Sequence, residues 1–146
     1  MRNRMSAATA AVMAAAFAAV ALGGCSAPSQ GQLASTATAT VNGTEVRPGV
    51  VRCYQQEWYR TIALGNDESG ATVVIDQRKH PATTVSVRFH NFGGFTGTTT
   101  AAPGGGGAAE TRFDGSNFLI SGTVNGATTA KPTEAVAADF KIKATC

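Results

Sequence analysis

Three stretches of this chain alternate polar and apolar side chains residue by residue, the period of a strand that buries one of its faces. Val85, Val87 and Phe89 share one face, against Thr84, Ser86, Arg88 and His90 on the other. Phe118, Ile120 and Val124 repeat the pattern across Gly122. Phe140, Ile142, Ala144 and Cys146 repeat it again, against Asp139, Lys141, Lys143 and Thr145. Between the runs stand Asn42-Gly43, Gly65-Asn66-Asp67, Asp114-Gly115 and Asn125-Gly126, residues that accept a positive φ or cap a reversal. Strands punctuated in this way predict a mostly β single domain, an antiparallel sandwich-like or curled sheet with at most one short helix. Pro132 to Ala138 reads as a short helical turn or as a loop. Pro103 to Gly107 reads as a long exposed loop, because ordering so many glycines loses too much backbone entropy.

The N-terminus reads as an address. Arg2 and Arg4 precede the uncharged, Ala-rich stretch Met5 to Leu22, the pattern of a secretory leader. A membrane-spanning helix is the alternative, disfavoured because alanine contributes little to insertion and a span needs roughly 20 residues. Leu22-Gly23-Gly24-Cys25 then places a branched residue and two small ones directly before a cysteine. Small side chains let a peptidase grip the extended backbone. The Cys25 thiol is expected to receive a diacylglyceryl group, and cleavage before it frees an amine for a further acyl chain. One chain anchors marginally, whereas two or three do so durably, at about 0.8 kcal/mol per buried methylene. The division expected is a leader over 1–24, lipidated Cys25 with a linker over 25–40, and a folded body over 41–146. The membrane is the expected partner, and no cofactor is expected beyond the diacylglyceryl and N-acyl lipid on Cys25.

Ser26 to Thr40 has almost no large apolar side chain and reads as a tether holding the body about 20 Å from the lipid surface. Thr36, Thr38 and Thr40 read as a solvated spacer or as acceptors of O-linked sugar. With Arg2 and Arg4 gone, the 12 Lys and Arg fall to 10 against 9 Asp and Glu, which leaves no electrostatic footprint for nucleic acid. With Cys25 committed to lipid, Cys53 and Cys146 remain in a chain exported beyond the reducing cytosol, and pairing is expected. A bridge across 93 positions stabilises by about 4–5 kcal/mol in the chain-entropy view, as much as the net stability of a small domain.

Catalytic groups are sparse. His80 sits in the cationic run Arg78-Lys79-His80-Pro81, His90 lies on the polar side of its strand near Arg88, and no Gly-x-Ser-x-Gly elbow occurs. Asp76 and Glu57 have no sequence reason to meet. There is no His-x-x-x-His or Cys-x-x-Cys spacing for a metal, Asn66-Asp67-Glu68 reads as an acidic turn, and the Gly104–Gly107 run lacks the Lys-Ser/Thr of a phosphate loop. No catalytic residue and no metal ligand is assigned. The densest aromatic segment is Cys53 to Arg60, where Tyr54 and Trp58 fall on one strand face and Arg60 continues it. Tyr54, Trp58 and Arg60 read as a binding surface or as core packing.

Across most of its length the chain resembles the mycobacterial 19 kDa lipoprotein antigen family (LpqH-like lipoproteins). The resemblance rests on Val51-Arg52-Cys53, Thr61 to Gly65, Asp114 to Thr123 and Phe140 to Cys146, in order and with both cysteines in place. It implies a non-enzymatic, lipid-anchored envelope protein with a compact β body, extracytoplasmic and surface-exposed or shed. It also implies a surface antigen whose acylated N-terminus is an agonist of host Toll-like receptor 2. Ligand transport, with a lipid or small apolar molecule sheltered inside the body, is the alternative role. By position, acylation carries over to Cys25, the disulfide to Cys53 and Cys146, and glycosylation to Thr36, Thr38 and Thr40.

Overall fold

The computed structural model describes residues 35–100 and 109–146. The leader, Cys25, the linker up to residue 34 and the Pro103–Gly107 run lie outside the described residues. The described chain forms β1 (Thr36–Val41), β2 (Thr44–Val46), β3 (Val51–Gln56), β4 (Tyr59–Gly65) and β5 (Gly70–Asp76). It continues through β6 (Thr83–Phe92), β7 (Phe95–Thr100), β8 (Ala109–Phe113), β9 (Asn117–Thr128) and β10 (Lys131–Thr145), with no helix among the described residues.

Alternation makes each strand one-faced, and tight turns make neighbours antiparallel. Asn42 and Gly43, both at positive φ, turn β1 into β2 with the twist that strand pairs prefer. Gly65 and Gly115, at φ 78° and 90°, reverse the chain after β4 and β8. The result is one antiparallel sheet in the order β2-β1-β10-β9-β7-β6-β5-β4-β3. Strand β8 pairs with the same two neighbours as β7, so the two occupy one strand position in succession.

The sheet curls until its two halves face each other. Phe89 of β6 meets Phe140 of β10 edge-on at 5.3 Å, and the Arg60 guanidinium of β4 stands 5.7 Å from the Phe118 ring of β9. Cys53 of β3 is bridged to Cys146 beyond β10. Between the halves lie Phe89, Phe92, Phe95 and Phe140 with Ile62, Leu64, Val73, Ile75, Ile120 and Ile142, all essentially inaccessible to water. Burying each such side chain stabilises the fold by about 1.5–3 kcal/mol. This is the expected curled antiparallel domain closed by one disulfide.

Several local expectations are corrected. Thr36 to Thr40 is not tether but β1, paired with Lys141 to Thr145 of β10, because Ala39 and Val41 point into the core. Asn125-Gly126 is not a turn and lies within β9, where Gly126 faces Gly97 of β7. Pro132 to Ala138 is extended within β10, and the register slips between Lys131 and Val136, where an exposed edge tolerates a proline without an N–H. In β6 a bulge at Val85 lets Ser86 oppose Val74 and Thr84 oppose Ile75. The bulge turns Thr84 inward, and its hydroxyl meets that of Thr111 at 2.7 Å, a buried pair that satisfies both groups.

The Gly97–Gly126 pair marks where β7 joins the two halves. A Cβ on Gly126 would collide with the Thr96 carbonyl oxygen and come within 2.6 Å of the Gly97 Cα, so only glycine permits this approach. Gly126→Ala should therefore lower stability by about 1–3 kcal/mol, the usual cost of overpacking, measured by chemical denaturation. An unchanged midpoint would show that the two strands have room to spare.

Candidate functional site

Antiparallel pairing gathers the ends of several strands at one end of the body. Thr36 pairs with Thr145 and Thr145 with Asn117, so the start of β1, the finish of β10 and the β8–β9 turn lie together. On the facing half, Gln56 pairs with Tyr59, Tyr59 with Asp76 and Asp76 with Thr83. The Cys53–Cys146 bridge and the Arg60–Phe118 contact join the two sets. This is the end at which the chain arrives from Cys25.

The aromatic segment is arranged differently from the sequence expectation. Glu57, at φ 52°, and Trp58 form a two-residue turn between β3 and β4. Arg60 therefore lies on the inward face with Ile62, not beside Tyr54 and Trp58. Its guanidinium stands over Phe118, and its buried Nε has no hydrogen-bond partner among the described residues. Tyr54 faces outward, 51% exposed, and Trp58 stands at the tip of the turn, 60% exposed. Phe113, 57% exposed, ends β8 against the Phe118 ring at 4.7 Å. Nothing in the sequence singled out Phe113. Its strand alternation begins beside the Pro103–Gly107 run and is too short to read.

A polar clamp holds the neighbouring loop. The Arg78 guanidinium grips Asp76 with both oxygens engaged, Nε lying 3.0 Å from each and Nη2 2.5 Å from Oδ2. The Arg78 N–H adds a bond to Oδ1 at 2.9 Å. Nη2 also donates to the Tyr59 hydroxyl at 3.0 Å, and the cation lies 5.4 Å from that ring. Gln77 N–H donates to the Trp58 carbonyl at 2.9 Å, which ties this loop to the Trp58 turn. Hydrogen bonds from the Arg78 side chain, then from its backbone, push the Asp76 carboxyl down to about 2. At the β8–β9 turn Asp114 is lowered by the Asn117 backbone N–H, then by that residue's side chain. His80 and His90 are both exposed, and no three-residue group suited to a metal occurs among the described residues. Glu57 and Asp76, which have no sequence reason to meet, have other partners: the Asp76 carboxylate is taken by Arg78, and the Glu57 backbone carbonyl accepts from the Gln55 side-chain amide.

Among the troughs on the surface of the described body are two on the outer faces of the sheet. The larger, about 660 Å³, crosses β1, β10, β9 and β8, and its floor is read from the ladders. Thr38, Lys143, Leu119 and Arg112 form one cross-strand row, and Thr40, Lys141, Ser121 and Glu110 the next. Arg47–Glu45 and Arg112–Glu110 pair at 2.8 Å and 3.7 Å on its flanks, while Lys141 and Lys143 have no ion pair among the described residues. Thr36, Thr38 and Thr40 all face solvent from β1, the latter two into this trough. The smaller, about 420 Å³, has Arg52, Arg88 and His90 around a floor that includes Ala63, Gly65, Gly70 and Thr72.

The family model described as the Mycobacterium 19 kDa lipoprotein antigen matches residues 30–146. The chain belongs to that family. A protein of Mycobacterium avium subsp. hominissuis (strain TH135) is 47% identical over all 146 residues and 97% of its own length. One from Mycobacterium indicus pranii (strain DSM 45239 / MTCC 9506) is 45% identical over the full length of both chains. Both carry the provisional name of a lipoprotein. The matched region spans every described strand and both bridged cysteines.

A depressed Asp76 carboxyl contributes stability that is present above its ordinary pKa of 3.8 and is lost as pH falls toward about 2. Asp76→Asn removes that dependence, so its stability should vary less than the parent's across this acid window, followed by denaturation at each pH. Equal slopes in the two proteins would show that Arg78 does not hold the carboxylate.

Proposed function

We propose that this protein is a non-enzymatic lipoprotein of the mycobacterial envelope, fastened by acyl chains on Cys25 and displaying the curled β body on the extracytoplasmic side. The observation that carries this reading is Leu22-Gly23-Gly24-Cys25 at the end of an uncharged apolar stretch, in a chain of a lipoprotein family. The acylated end then works as an agonist of host Toll-like receptor 2. Two or three acyl chains can fill an apolar receptor groove, while the body supplies solubility and spacing. Cys25→Ser should leave the protein in the soluble fraction, with receptor signalling at background. Membrane fractionation and signalling equal to the parent's would refute the reading.

The larger trough favours a second role, carriage of a lipid or small apolar molecule. The core is filled by Phe89, Phe92, Phe95 and Phe140, so the space for a ligand is on the outer face, where Leu119 is flanked by Lys143 and Arg112. An amphiphile with an anionic head fits that chemistry: its tail lies over Leu119 and its head meets Lys141 or Lys143. Native mass spectrometry should then find a bound lipid, lost in Leu119→Asp. A ligand-free spectrum of the parent protein would remove the carrier role.

A further inference from the structure

The three most exposed large apolar side chains of the described body, Trp58 at 60%, Phe113 at 57% and Tyr54 at 51%, all lie at the end where the chain arrives from Cys25. From these placements we infer that this end docks directly onto the bilayer, with Trp58 and Phe113 seated among the lipid headgroups and Lys79 on an anionic headgroup beside them. The inference rests on the anchoring reading above and adds an orientation to it. Eleven positions separate Cys25 from Thr36, and even fully extended they span at most about 40 Å. The start of β1 is thus confined near the lipid to which Cys25 is bound. Confinement raises the local concentration of headgroups, so a surface too weak to bind membrane by itself engages once tethered.

The chemistry of this end suits a bilayer interface. Tryptophan and tyrosine prefer the headgroup layer, where an apolar ring and a polar handle are both satisfied. Lys79 is exposed and makes no ion pair among the described residues, whereas Arg78 is spent on Asp76. A lysine near an anionic surface adds attraction that falls off within a Debye length. Glu57 and Asp114 lie at the same end and oppose this attraction, so the aromatic rings must supply most of the contact. The turn that carries Trp58 is also tied down: the Trp58 carbonyl accepts from the Gln77 N–H, and the neighbouring Tyr59 hydroxyl accepts from Arg78.

Trp58 is the sole tryptophan, so its fluorescence reports on this end alone. The acylated protein is reconstituted into phosphatidylcholine vesicles containing phosphatidylglycerol, made with or without brominated acyl chains, and bound protein is measured by sedimentation. Docking predicts that sedimented protein emits at shorter wavelength than Cys25→Ser in buffer, and that brominated lipid removes most of the emission. Phe113→Ser should weaken the quenching, and so should Lys79→Glu or omission of phosphatidylglycerol. Protein that sediments but keeps water-like emission, fully open to acrylamide, overturns the docking and leaves the anchor intact. Protein that does not sediment overturns the anchor as well. A blue shift that depends on protein concentration and not on vesicles also overturns the docking, since it shows a second copy covering the patch.

Discussion

The body depends on burying one face of a single sheet against itself. A flat sheet of these strands would leave Phe89, Phe92, Phe95 and Phe140 in water on one side; curled, the same residues form the core. The curl in turn requires a place where strands from the two halves come unusually close. Gly97 and Gly126 supply it, since any Cβ at Gly126 meets backbone rather than a movable side chain. The disulfide secures the other consequence of curling, an edge strand lying beside a distant one without a ladder to hold it. Cys53 on β3 and Cys146 beyond β10 have Cα atoms 5.9 Å apart, close enough for a bridge without backbone movement.

Much of this was legible because most ladders join strands adjacent in sequence. Alternation over Phe140 to Cys146 placed Phe140, Ile142 and Ala144 inward correctly, while the equally inward Ala138 falls in the segment that reads as a helical turn or loop; the Asn42-Gly43 and Asp114-Gly115 turns stand where turn chemistry put them. What was not legible has a common cause. Val85 is apolar and alternates perfectly with its neighbours, yet a bulge decides which face it takes, and a bulge is set by the partner strand. Gly126 follows an asparagine and so looks like a turn, but its glycine answers a strand crossing in three dimensions. Thr36 to Thr40 looks like solvated spacer because its outer row is threonine; its inner row, Ala37, Ala39 and Val41, is small enough to escape notice until β10 is there to receive it.

The aromatic segment shows the same limit from the functional side. Tyr54, Trp58 and Arg60 share parity along the chain, and an unbroken strand would have made them one surface. Glu57 at positive φ breaks the strand with a residue type that rarely adopts that conformation, so no turn signal warned of it. The turn sends the three residues to different duties. Arg60 goes inward over Phe118, Tyr54 outward on the sheet face, and Trp58 to the tip. It also brings Trp58 to the same end as Phe113, a residue fifty-five positions further on. The exposed aromatic end is therefore a product of topology, assembled from side chains that no local pattern connects.

These two features bear on each other through the position of β1. Were Thr36 to Thr40 tether, the proposed anchor at Cys25 would leave the body on a longer leash, free to turn any side toward the lipid. As a strand paired along β10, β1 fixes where the chain leaves the body, beside Thr145 and Asn117 and at the same end as the Trp58 turn. Each residue drawn from linker into strand shortens the leash and narrows the orientations it allows. The same pairing lays Thr38 and Thr40 in the floor of the outer trough next to Lys141 and Lys143, so a sugar placed on either would occupy the space an amphiphile would need. Glycosylation and the proposed lipid carriage would thus compete for one surface, whereas the proposed docking through the aromatic end would leave both open.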